Sequence, residues 1–279
     1  MPIMPLYLRP LLLAWPFAAG VLHAAPEVPL WKGTPPGELP AVQQGAAPTG
    51  KMNDDERMTD VAAPTLTWFH PEKPDGRALI VCPGGGYKIL AIHKEGDKVA
   101  ERFAKEGITV AVLHYRVPAA NTDAADAGPR QDLAEALRQV RAEMKAKGFN
   151  GKTGVLGFSA GGHLVLESAY GPMPAGAERP DFVVAIYPAY LTDKEGKLKP
   201  EFAPTKDSPP AAFFHAADDK YPADGSAQLW RKLTEAGVKA ELHVYASGGH
   251  GFGISEPNPD KPSSLWPDAA AAWLKGMRK

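Results

Sequence analysis

Gly157-Phe158-Ser159-Ala160-Gly161, with the apolar run Gly154-Val155-Leu156 before it and Gly162-His163 behind, sets a serine between two glycines where a strand runs into a helix. The pattern is G-x-S-x-G, a nucleophile elbow. A strand that turns sharply into a helix holds the serine in a strained backbone conformation, and the flanking positions must lack side chains for the turn to close. The hydroxyl is thereby lifted clear of the sheet. In a chain with 28 glycines the pentapeptide alone also fits an ordinary turn, so the reading depends on what surrounds it.

Two further groups follow in the chain, an acid at Asp218 or Asp219 and then His250. Serine, acid, histidine is the triad order of α/β-hydrolases. The apolar run Ala211-Ala212-Phe213-Phe214-His215-Ala216, bounded by Pro209-Pro210 and Asp218-Asp219, reads as a buried strand that delivers a carboxylate from its C-terminal end, the edge at which open α/β sheets bind ligands. His250 lies in the glycine-rich loop Ser247 to Gly253, after an alternating strand Ala240 to Tyr245. Upstream, Ala78-Leu79-Ile80-Val81-Cys82 reads as a central strand entering Pro83-Gly84-Gly85-Gly86-Tyr87. Consecutive glycines allow the N–H groups of Gly85 and Gly86 to converge with that of Ala160 on one point, as an oxyanion hole requires; a plain flexible turn is the other reading.

Composition narrows the rest. With 279 residues, 44% hydrophobic, the chain suits one large α/β domain with a full core. A formal net charge of −1 with scattered basic residues implies neither nucleic acid nor an anionic membrane surface as partner. A small neutral or weakly charged substrate fits better. Cys82 is the single cysteine, so no internal disulfide and no cysteine-type zinc site is available.

Arg9, the apolar stretch Leu11 to Leu22 and then His23-Ala24-Ala25 look like a secretory signal peptide over residues 1–25, too short and too interrupted by Pro16 for a comfortable membrane span. A periplasmic or secreted protein without stable membrane insertion is expected. Residues 26–59 are rich in Pro, Gly and Ala with no sustained period, and read as a partly ordered arm or linker before a catalytic domain over 60–279. From Thr65 onward strands and helices alternate. Helices are expected at Asp97 to Lys105, Arg130 to Lys147, His163 to Tyr170, Ala223 to Glu235 and Ser264 to Met277, and strands at Ile108 to Leu113 and Phe182 to Tyr187. Such alternation predicts a mostly parallel central sheet with helices on both faces. The charged, proline-containing segment Ala189 to Ser208 offers no apolar lid helix, which argues against a lipase acting on fat droplets.

Over most of the mature chain the residues resemble the α/β-hydrolases of the acetyl-esterase and acetyl-xylan-esterase group near dienelactone hydrolase. The stretches that carry the resemblance are Val28-Pro29-Leu30-Trp31, Cys82 to Tyr87, His93 to Ala100 with Glu95-Gly96, Tyr115-Arg116-Val117-Pro118, Gly157 to Leu164, Arg179-Pro180-Asp181, His215 to Asp219 and Gly248 to Gly253. The resemblance implies a secreted serine esterase acting on acetyl or other small acyl esters of a small molecule or carbohydrate, through Ser159, Asp219 and His250 and a covalent acyl-enzyme, with no cofactor or metal. One departure stands out: Lys220-Tyr221-Pro222 follows Asp219 one residue short of the group's usual spacing, so Asp218 and Asp219 both qualify as the acid, and the count from His215 favours Asp219.

Competing readings are a peptidase of the prolyl-oligopeptidase kind, which shares the elbow but carries a large propeller domain for which this chain has no room, and a non-catalytic binder on a hydrolase scaffold, which has no need of an intact serine, acid and histidine. Single residues also invite a bland reading. His163 suits packing near the elbow better than a base role. His93, Glu95 and Asp97 suit a polar loop and helix start better than a metal cluster, and His243 suits a structural place in a strand. Tyr87 fits either an acyl pocket or packing, and Arg116 fits a buried ion pair or a substrate contact.

Overall fold

A strand without a polar face needs cover on both sides, and Ala78–Cys82 is buried at every position. The computed structural model describes residues 26–37, 39–40, 47, 49–53, 56–120, 122–124 and 127–277. In chain order its elements are β1 (Val28–Pro29), β2 (Thr49–Met52), β3 (Met58–Val61), β4 (Thr65–Phe69), β5 (Ala78–Cys82), α1 (Lys98–Ala104), β6 (Thr109–His114), α2 (Gly128–Ala146), β7 (Thr153–Phe158), α3 (Ala160–Tyr170), β8 (Val183–Ile186), β9 (Ala211–Ala216), α4 (Asp224–Glu235), β10 (Ala240–Tyr245) and α5 (Trp266–Lys275). A π-helical turn, His93–Asp97, leads into α1, and a 3-10 turn, Pro262–Leu265, leads into α5.

Eight strands form one sheet in the order β1-β4-β6-β5-β7-β8-β9-β10. β4 runs antiparallel to β1 and β6, and every other neighbouring pair is parallel. Successive side chains point to opposite faces, so each strand feeds two cores. Ile80, Cys82, Ala111 and Leu113 pack with Leu133 of α2, Leu164 of α3 and Leu229 of α4. Leu79, Val81, Val110 and Val112 pack on the other face with Phe103 of α1 and Trp266 of α5. Trp266 is fully buried among Phe103, Phe158 and Phe214, a burial that contributes roughly 2–3 kcal/mol. The architecture is an α/β fold with a mostly parallel sheet covered on both faces. The elbow serine, the acid and the glycine-rich loop after β5 all leave the sheet at the C-terminal ends of its parallel strands.

Residues 1–25, read as a signal peptide, lie outside the described residues, as do residues 41–46 of the stretch read as an arm. Where that stretch is described, it is docked on the domain. β1 pairs with β4, Leu30 is buried, the Leu30 N–H donates to Pro64 O at 2.9 Å, and Trp31 Nε1 donates to Asp132 Oδ1 at 3.0 Å. A few isolated groups make this attachment, which is why no period announces it. Among the described residues no helix is long and apolar enough to cross a membrane.

Candidate active site

Ser159 sits between β7 and α3 with φ 50° and ψ −114°, a conformation that side chains rarely adopt. Its backbone is pinned from three sides: the N–H donates to Ile186 O at 3.0 Å, and the carbonyl accepts from His163 at 2.9 Å and Ala189 at 3.2 Å. The flanking glycines answer to specific neighbours. A Cβ on Gly157 would lie 2.1 Å from Gly161 O, and one on Gly161 would lie 2.1 Å from Cys82 O, so the first turn of α3 crosses β7 and β5 at backbone contact.

Ser159 Oγ lies 2.8 Å from His250 Nε2, and His250 Nδ1 lies 2.8 and 3.0 Å from the two oxygens of Asp219. A carboxylate only accepts, so the imidazole proton belongs on Nδ1, and Nε2 is left to accept the serine hydroxyl. Asp219 is 8% exposed and further held: Oδ1 accepts the Tyr221 N–H at 2.8 Å, and Oδ2 lies 3.4 Å from Nε2 of buried His215. Asp218 points elsewhere. Its exposed carboxylate caps the histidine loop by accepting the Gly249 N–H at 2.8 Å, a bond that holds it below the ordinary carboxylate range.

The loop Pro83 to Tyr87 passes directly against the serine, since a Cβ on Gly84 would lie 3.0 Å from Ser159 Cβ. Gly85 has φ 138° and Gly86 φ 63°. Among the described residues the amides of Gly85, Gly86 and Ala160 donate to no protein acceptor, and Ala160 opens α3, where the helix dipole adds positive potential. The segment after β6 braces this loop from behind: Tyr115 Oη donates to Pro83 O at 2.6 Å, and the Ala119 N–H donates to Tyr87 O at 2.8 Å.

Glu95 is bonded into the same loops, which reading it as part of a polar loop and helix start does not anticipate. Buried at 6% exposure, it accepts the Gly84 N–H at 2.7 Å through Oε2 and the Tyr187 hydroxyl at 2.8 Å through Oε1. Tyr187 Oη in turn accepts the Gly253 N–H at 2.9 Å, and its ring meets those of His250 and Phe252 at 5.1 and 4.4 Å. One carboxylate thus straps the glycine loop to the histidine loop. Burial raises its pKa, against the hydrogen bonds from Tyr187 and Gly84 that favour the charged form. Glu95→Gln, which cannot accept at both ends, is expected to lower kcat about 10- to 100-fold while KM shifts less than about threefold. Steady-state kinetics on a soluble aryl ester is the check, and a loss confined to KM would assign Glu95 to substrate binding instead.

The remaining singled-out residues fall into structural places. His163 is fully buried, its Nδ1 2.9 Å from Tyr87 Oη, and burial drives its pKa down to about 3. Arg116 is buried against Asp132, with Nε 3.0 Å from Oδ2. His93 lies at the surface 3.6 Å from Glu56, while burial lifts Asp97 to about 6. Among the described residues no three His, Cys, Asp or Glu side chains gather as a metal site. His243 stacks on Phe214 with centroids 4.8 Å apart.

Sheet order, elbow geometry and the loops that meet over it define an α/β-hydrolase. The chain matches the dienelactone hydrolase family over residues 68–276 and belongs to that family. It is 31% identical over 223 residues to an acetylxylan esterase of Xylanibacter ruminicola, a match covering 71% of this chain and 45% of the relative, so the chain spans about half the length of that curated relative. Among solved structures it is similar to an acetyl ester-xyloside bifunctional hydrolase from Caldicellulosiruptor lactoaceticus, at 25% identity and a TM-score of 0.68, covering 93% of this chain and 98% of that one. An α/β-hydrolase from a Medee basin deep-sea metagenome library gives 26% identity and a TM-score of 0.65 over 77% of this chain and 93% of that one.

Proposed function

We propose that the protein is a secreted serine esterase that removes acetyl or other small acyl groups from carbohydrate through a covalent acyl-enzyme. The observation that carries the reading is the relay from Ser159 Oγ to His250 Nε2 at 2.8 Å and from His250 Nδ1 to Asp219 at 2.8 Å. Ser159 Oγ attacks the ester carbonyl carbon while His250 takes its proton. The oxyanion is held by the amides of Ala160 and of Gly85 and Gly86, where one such donor is worth roughly 3 kcal/mol. Collapse breaks the bond to the alcohol, which leaves with the proton from His250. Water, deprotonated by the same nitrogen, then attacks the acyl-serine and releases the acid.

Supporting the substrate class are the likeness to an acetylxylan esterase and to an acetyl ester-xyloside hydrolase. Residues 189–208 fold as turns around a Thr192–Leu198 bridge, with no apolar lid for a fat surface. Export rests on the apolar N-terminal stretch, and the mass of the mature chain reads it. The test of the chemistry is hydrolysis of 4-nitrophenyl acetate followed from the first turnover, with acetate release from acetylated xylan in parallel. A burst of nitrophenolate and an acetyl adduct on the peptide containing Ser159 are expected. Turnover of amide substrates with none of the ester would overturn the reading in favour of a peptidase.

A further inference from the structure

The chemistry at Ser159 does not account for a cleft beside the glycine loop. Its volume is about 300 Å³, and it is walled by Gly86 and Tyr87 of the glycine loop, Thr122 and Asp123 between β6 and α2, and Tyr190 and Lys199 after β8. Tyr190 connects it to the histidine. Its ring stacks on Tyr87 with centroids 6.4 Å apart and meets the Tyr221 ring at 6.0 Å, and Tyr221 lies 4.7 Å from the His250 ring. At 38% exposure Tyr190 keeps much of its surface open to solvent.

The same cleft has a charged part to its wall. Lys199 Nζ donates to Asp123 Oδ2 at 2.8 Å, and Asp123 Oδ1 lies 3.7 Å from Nε2 of His163. That nitrogen is fully buried and has no hydrogen-bond partner among the described residues. Backbone strain collects nearby: of the six described non-glycine residues with positive φ, Tyr87 and Tyr190 line this cleft, while Ser159 and Tyr187 lie with His250. Such strain persists only where packing enforces it, and it marks positions held for a purpose.

An alkyl chain in this cleft would strip water from an ammonium, a carboxylate and a hydroxyl and return nothing. A hydroxylated ring replaces that water with hydrogen bonds and lays its C–H face on an aromatic platform. We infer that the cleft is the alcohol subsite of the esterase and takes a short sugar with free hydroxyls, its ring against Tyr190 and its hydroxyls bonded to the Asp123–Lys199 pair. A volume of about 300 Å³ is enough to seat a short sugar. The inference rests on the proposed esterase activity for the reaction, but sugar binding is measurable without turnover.

The experiment uses the full chain with Tyr190→Ala and Lys199→Ala made separately, so that a folding defect in one leaves the other. The first readout is the ratio of kcat/KM for monoacetylated xylobiose to that for 4-nitrophenyl acetate, expected to fall by at least about tenfold in each variant. The second is calorimetric titration of xylobiose into the Ser159→Ala chain, with binding expected and weakened at least about fivefold by either added substitution. An unchanged ratio in both variants, or no xylobiose binding, overturns the subsite even where the ester is cleaved. Binding of xylobiose without any ester cleavage would leave a sugar site in the cleft but sink the esterase activity, and with it the role of alcohol subsite.

Discussion

Asp219→Asn is expected to lower kcat on an activated ester by about 10⁴-fold, while Asp218→Asn, one residue away, changes it by less than about threefold. The two carboxylates differ in what they touch. Asp219 is 8% exposed and receives the Nδ1 proton of His250 through both oxygens. Asp218 is exposed and its carboxylate accepts from backbone amides of the histidine loop, Gly249 at 2.8 Å foremost. An asparagine at 219 presents an amide donor where the imidazole also donates, so the ring turns to the wrong tautomer and Nε2 no longer accepts the serine proton. Ser159→Ala is expected to remove at least as much, about 10⁴-fold or more, and the double variant with Asp219→Asn little further, because residues acting as one unit do not lose activity additively. Burst and steady-state kinetics on 4-nitrophenyl acetate measure all four proteins. Equal, small losses for the two aspartate variants would mean that neither carboxylate orients the histidine, and the triad would have to be redrawn.

The contrast between these neighbours also shows what a sequence makes legible. Ser159 can be found because its turn forbids side chains at Gly157 and Gly161, a local demand written into adjacent letters. The acid narrows to two candidates because a buried apolar strand must end near it, but whether residue 218 or 219 faces inward depends on a loop held from elsewhere, by Gly249 and His215. Glu95 and Tyr187 are harder still. The bond between them joins residues 92 apart, and nothing in a helix-start pattern distinguishes a solvated glutamate from one buried under two loops. The stretch from Pro26 to Thr59 says little about where it docks: it lacks any period, yet Leu30 and Trp31 are enough to seat its first part. From Thr65 onward strand and helix order is legible in apolar runs and periods; the short strands before it, and the contacts that single side chains make across the fold, are not.

One such contact carries a large share of stability. Asp132 is fully buried on α2 and accepts from the Arg116 N–H and Nε, with shortest distances of 3.0 Å, and from Trp31 Nε1 at 3.0 Å. Arg116, equally buried, also donates to Pro36 O at 2.6 Å and Gly128 O at 2.9 Å. Asp132→Ala leaves a guanidinium in the core without its counter-charge and frees the N-terminal stretch at Trp31. A loss of about 3–5 kcal/mol is expected. The apparent melting temperature should fall by on the order of 10 °C. The adjoining Tyr115 and Ala119 brace the glycine loop, so part of the activity should go as well. Replacing both partners separates charge from shape: Arg116→Met with Asp132→Leu removes the buried ions together and is expected to recover much of the lost stability, because the larger part of the penalty is the unpaired charge rather than the missing attraction. Denaturant unfolding of the wild type, the single variant and the double variant decides between these terms. A double variant no more stable than Asp132→Ala would mean that the hydrogen bonds to Trp31, Pro36 and Gly128, and not the charge balance, are what this cluster contributes.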